Sequence, residues 1–178
     1  MHGRLIGVVV GVVFGLAWGF AGASQLPEPW ARGAVLAMLL IATVLIVAAV
    51  RARVSDRNSE GRTFDGRVYG ISVILEMLGI LIVALLLGRE RLQPYVPPAI
   101  AFVVGLHFLG LWRASGERAF VWTCLGLCVV SLVATLLPQT VAVVGSGADG
   151  RLLVTGLGSA LILWLACAAA ALHTTPDM

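Results

Sequence analysis

The chain has 178 residues, of which 60% are hydrophobic and 12% charged, with a mean hydropathy of +1.00. A soluble domain is about 25% charged, so this composition excludes an ordinary soluble enzyme. The net charge is +3, and all 12 basic residues are arginines that flank apolar runs. They do not form a basic stripe interleaved with aromatics, so no nucleic-acid partner is expected.

Six runs approach the roughly 20 apolar residues that a membrane span needs. They lie at residues 4–23, 31–50, 68–88, 95–112, 119–137 and 152–172. A backbone in lipid must satisfy its own hydrogen bonds, so the runs are expected to be helices. Barrel strands would alternate in polarity over about 10 residues, and these runs do not. The expected fold is all-α: one polytopic six-helix bundle over residues 1–178, with no connection long enough to be a soluble domain. Arginine placement sets its orientation. With the N-terminus inside, Arg4, Arg51, Arg53, Arg57, Arg62, Arg67, Arg113 and Arg118 are cytoplasmic, against Arg32, Arg89, Arg91 and Arg151 on the other side. Eight against four puts both termini in the cytoplasm.

The first run, MHGRLIGVVVGVVFGLAWGFAGAS, has the basic start, apolar stretch and small residues of a signal peptide. We read it as a helix kept in the chain. Gly7, Gly11, Gly15 and Gly19 recur every four residues and lay one flat stripe along it. Such stripes let helix backbones approach closely in lipid, either within the chain, at a subunit interface or along a pore. Pro27 and Pro29 then break the helix, and Trp30 stands where an interfacial anchor would. Beyond Arg32 at its edge, the second run is polar only at Thr43. The arginine-rich loop 51–67 follows. It reads as a solvated loop that sets topology, with a lipid-headgroup patch or a docking site as the alternatives.

The third run carries Glu76 and the fourth His107. Cysteines aside, these are the only ionisable side chains well inside any run. Glu76 lies 12 residues before Gly88, and His107 lies 12 residues after Tyr95. At about 1.5 Å per residue each sits roughly 18 Å from the same mouth of an antiparallel hairpin. They therefore share a depth and could touch. A carboxylate at mid-membrane costs about 2.5–3.5 kcal/mol, and such residues mark ion and proton paths. Glu76 and His107, with Ser72 one turn before Glu76, form the candidate ion, proton or ligand site. A protonated Glu76 hydrogen-bonded only for packing is the alternative. Pro94, Pro97 and Pro98 open the fourth helix.

The stretch PPAIAFVVGLHFLGL resembles a Pro-x-Ile…Val-Gly-Leu-His-Phe-x-Pro-Leu pattern of small uncharacterised bacterial multi-helix membrane proteins. The resemblance covers the third and fourth helices and departs at Gly110, where the pattern has proline. It implies a hairpin unit in a bacterial inner membrane and assigns no chemistry.

In the fifth run Cys124 and Cys128 share one face, and Cys167 lies in the sixth. All three fall inside spans, so no disulfide framework is expected. Thiolates beside His107 would suit zinc or copper, but packing is the simpler role, and neither a metal nor another cofactor is expected. The stretch QTVAVVGSGADG reads as a glycine-rich outer loop. It lacks the Gly-Lys-Ser/Thr ending of a phosphate loop. The sixth run combines Thr155, Gly156, Gly158 and Ser159 with an alanine-rich end suited to close packing, and His173 falls at its interface.

Three functional classes fit. The first is a small transporter or channel, working as a homo-oligomer on a small ion or molecule through Glu76 and His107. The second is an accessory protein packing on a partner through the glycine stripe. The third is an intramembrane enzyme acting on a lipid or quinone. Membrane lipids are the expected surroundings in every case.

Overall fold

The computed structural model of the protein describes residues 2–55, 65–143 and 146–172. Arg57, Arg62 and His173 lie outside the described residues. The elements are α1 (His2–Ala23), α2 (Trp30–Ser55), α3 (Gly66–Leu87), a 3-10 helix at Glu90–Tyr95, α4 (Val96–Ser115), α5 (Ala119–Leu136), β1 (Thr140–Val143), β2 (Ser146–Asp149) and α6 (Gly150–Leu172). Five helices are long and apolar enough to cross a membrane, and α1 adds a shorter apolar stretch, Gly7–Ala23. The chain thus has the build of a helical membrane protein.

Two helix ends run well past the sequence expectation, and one loop carries strands. Helix α2 runs on to Ser55, because RARVS holds no breaker and arginine is a good helix former. Helix α4 runs past Trp112 to Ser115, and closes on Gly116 at φ +72°, the left-handed cap that glycine adopts without strain. The stretch 139–150 is not a plain loop. It holds an antiparallel hairpin, with Thr140 opposite Asp149 and Val141 opposite Ala148. The β-branched residues of TVAV suit the pleated backbone.

Helix α6 is the axis of the bundle. One core joins α1, α2 and α6 through Val12, Met38, Ala42, Ala160, Trp164 and Cys167. A second joins α4, α5 and α6 through Val104, Leu127 and Leu163. In order of contact the helices run α2, α1, α6, α5, α4, α3, so α3 is held by α4 and the adjoining 3-10 helix.

The glycine stripe of α1 is filled by α6. A Cβ at Gly11 would come within 2.6 Å of the Cys167 sulfur, and one at Gly15 would overlap the Trp164 ring. Gly19 faces Met38 and Ala160, whereas Gly7 meets nothing within 4 Å. Beyond the stripe, Gly22 and Gly156 bring the two backbones together, and a Cβ at Gly156 would fall on the Gly22 main chain. The Trp164 indole N–H donates to the Val12 carbonyl at 3.4 Å, and the Cys167 thiol to the Val8 carbonyl at 3.7 Å. Thr155 and Ser159 are wholly buried on α6, and their hydroxyls have no hydrogen-bond partner.

Introducing a side chain at the closest approach is expected to separate the helices. Gly156→Leu should cost at least the roughly 1–3 kcal/mol of ordinary overpacking. Gly7→Leu should be neutral. Thermal unfolding of the two variants in detergent, followed by the loss of the monodisperse peak, measures the difference.

Candidate functional site

Helix α3 starts at Asp65, whose carboxylate accepts the N–H groups of Arg67 and Val68 at 3.0 and 3.2 Å. Satisfying the open donors of a first turn in this way is the ordinary use of an N-terminal aspartate. The Asp65 N–H in turn donates to the Ala114 carbonyl at 3.0 Å. The start of α3 is thereby tied to the end of α4, and the antiparallel register of the hairpin is set.

That register brings the two intramembrane ionisable groups together. The His107 Nδ1 lies 3.4 Å from the Glu76 Oε2, and the two side chains are only 11% (Glu76) and 9% (His107) exposed. The separation is longer than the 2.7–2.9 Å of a tight charge-assisted hydrogen bond. The nearer partner of Nδ1 is the Ser72 hydroxyl, at 3.0 Å. Ser72 is also the one buried residue of α3, and its hydroxyl donates to the His107 carbonyl at 3.1 Å. One placement of protons satisfies all these contacts. The Ser72 proton goes to the carbonyl, and the Ser72 oxygen accepts from Nδ1–H. The same N–H leans towards Glu76, leaving Nε2 as the nitrogen that can take up or release a proton.

Glycine makes room for this. A Cβ at Gly110 would overlap the Ser72 side chain, and one at Gly79 would stand 2.8 Å from Val103. Gly110 is therefore the residue that lets Ser72 reach His107. On the other side of α4, a Cβ at Gly105 would meet Leu127 and Cys128 of α5 at 3.1 and 3.2 Å.

Polar residues follow the pair towards one end of the bundle. Tyr69, Ser72 and Glu76 stand on one face of α3 at spacings of three and four residues, the spacing that aligns side chains along a helix. This file leads to the Asp65 end. In the other direction the walls are apolar. A groove of about 600 Å³ between α3, α4 and α5 reaches as far as Val83 and Val103, and Val103 is one turn from His107.

Among the described residues, no three histidine, cysteine or acidic side chains gather closely enough to hold a metal. Cys124 and Cys128 lie towards α4 through Gly105, and the His107 ring is turned to α3. The role of Ser72 as a ligand of the imidazole is visible in the sequence only as a polar residue on the face of Glu76. Arg151 was legible only as a flanking charge, although it binds three elements together. Its guanidinium lies 4.0 Å over the Tyr95 ring. It donates to the Tyr95 hydroxyl and the Leu137 carbonyl, both at 3.1 Å.

No family model, no curated protein and no solved structure matches the chain. The resemblance of the helix-four stretch to small bacterial membrane proteins therefore carries no activity over, and function is argued from the geometry.

Ser72→Ala removes the nearest partner of Nδ1 and should cost about 1 kcal/mol, the usual worth of one hydrogen bond. It should also free the ring to change tautomer. Imidazole ¹⁵N chemical shifts of His107, compared between the wild type and the variant, should show a single Nδ1–H form only in the wild type.

Proposed function

We propose that the chain is a six-span protein of the bacterial inner membrane with both termini in the cytoplasm. In this reading it works as a homo-oligomeric transporter or channel, in which Glu76 and His107 handle a proton or small cation. One observation carries the reading. A carboxylate and an imidazole from different helices meet at mid-span, nearly out of contact with their surroundings, and share a single N–H with a serine. Packing alone needs no such expense in a membrane, where a central acidic group disfavours insertion by about 2.5–3.5 kcal/mol.

The chemistry follows from the tautomer. A proton arriving at Nε2 makes the ring an imidazolium. The Nδ1 proton then has two acceptors, the Ser72 oxygen and the Glu76 carboxylate. Closing 3.4 Å to a tight hydrogen bond carries it to the carboxylate and leaves the ring as the neutral Nε2–H tautomer. A second proton is accepted only after Glu76 has released its own and the ring has returned to the Nδ1–H form. The polar file through Ser72 and Tyr69 supports access from the Asp65 end. A partner surface on the glycine stripe is not proposed, because the same chain fills it, with α6 at Gly11 and Gly15 and with Met38 of α2 and Ala160 of α6 at Gly19.

Proton flux into proteoliposomes under an imposed pH gradient tests the relay. The wild type should conduct, and both Glu76→Gln and His107→Ala should fall to the level of protein-free liposomes while still folded. A wild type indistinguishable from empty liposomes would overturn the proton form of the proposal. Topology is tested separately. Reporters fused at either terminus should both read the cytoplasm, and a split result would remove α1 from the count of spans.

A further inference from the structure

The groove beyond the Glu76–His107 pair has the dimensions and polarity of a site for one lipid chain. Its wall on α5 runs from Leu125 to Thr135. That is about 15 Å of helix, or half of the roughly 30 Å hydrocarbon thickness of a bilayer. It therefore matches the depth of one leaflet. Thr135 lies next to the last residue of α5, so the groove starts at the interface and ends near the middle of the membrane.

Below Tyr95 the hydroxyl protons of its walls are already engaged. The Ser131 hydroxyl donates to the Pro98 carbonyl at 2.5 Å, and the Thr135 hydroxyl to the Ser131 carbonyl at 2.8 Å. The remaining wall is aliphatic or aromatic, with Cys128 among it. Tyr95 lines the groove at its interfacial end, and the Arg151 guanidinium lies on that ring. Two of the guanidinium's contacts are the hydrogen bonds to Tyr95 and Leu137. A guanidinium has further donors beyond these. Among the described residues no carboxylate pairs with it. The nearest in sequence, Asp149, accepts the N–H groups of Arg151 and Leu152 at the start of α6. Arg89 and Arg91 belong to the same end of the bundle and are exposed.

We infer that this groove binds one anionic phospholipid, with an acyl chain between α3, α4 and α5 and its phosphate at Arg151. The leaflet-deep apolar trough sets the chain, and the unpaired cation at its mouth sets the charge of the head. The site is independent of the proton reading and stands or falls apart from it.

The test is lipid retention. The protein is reconstituted in vesicles of phosphatidylglycerol and phosphatidylcholine with identical chains, extracted gently and weighed intact by native mass spectrometry. The wild type should retain one phosphatidylglycerol about fivefold over its share of the vesicle, the scale set by one arginine near an anionic surface. Arg151→Gln should bring the ratio to that of the vesicle, and Arg151→Lys should keep the preference. Ala99→Trp fills the trough and should abolish retention of both lipids while leaving Arg151 in place, so the test survives if Arg151→Gln does not fold. A wild type that retains the two lipids in vesicle proportion would show only annular lipid and overturn the inference. So would a preference undiminished in Ala99→Trp, or one removed by millimolar inorganic phosphate, which would mark a soluble-anion site instead.

Discussion

The bundle depends on one close approach, that of α1 to α6 at Gly22 and Gly156. In lipid, apolar side chains gain little from leaving their surroundings, so helices associate through dispersion contacts and short polar contacts that only small residues permit. The two helices meet main chain to main chain at one end. They then diverge enough along their length to admit Ala160, Trp164 and Cys167 opposite the remaining glycines. With α1 seated, α6 can present its other faces to α4 and α5, which is why both hydrophobic cores include it.

The α3–α4 hairpin obeys a different constraint. Helix α3 buries a single residue, Ser72, and its outer faces carry Ile74, Leu75, Leu81, Leu85 and Leu86 at 53–67% exposure. Such a helix is at home facing lipid. What it cannot show to lipid is Glu76, and the contact with α4 hides that one group. Ser72, Glu76 and Gly79 form the inward stripe, and His107 with Gly110 is its complement. The polar contacts of Ser72 and Glu76 with His107, and of the Asp65 N–H with the Ala114 carbonyl, hold this edge helix to α4.

The two ends of this hairpin are unlike. Towards Asp65 the pair continues into serine and tyrosine, whereas towards Tyr95 it gives way to an apolar trough closed at the interface by an arginine–tyrosine stack. The pair thus has polar residues of its own helix on one side and an apolar groove on the other.

Much of this could be read from the residues in order. Hydropathy alone located the helices, because a span needs length and lacks charge. Counting inward from Gly88 and Tyr95 put Glu76 and His107 at one depth, because helical rise is constant. The four-residue glycine period marked the packing face of α1. The neighbours, however, were decided only in three dimensions. Periodicity reports which face of a helix is small or polar, but not which helix will cover it. That α6 fills the glycine stripe, that Ser72 is a closer partner of His107 than Glu76 is, and that Arg151 lies over Tyr95 at the mouth of a trough all depend on how helices far apart in sequence cross. The hairpin at 140–149 was hidden for a related reason: its glycines and short β-branched run suit a loop as well as a strand, and pairing between two four-residue segments is settled by the helix ends that hold them together. Sequence determined the lengths, depths and faces because these follow from local geometry. Tertiary structure decided the contacts, and with them the site.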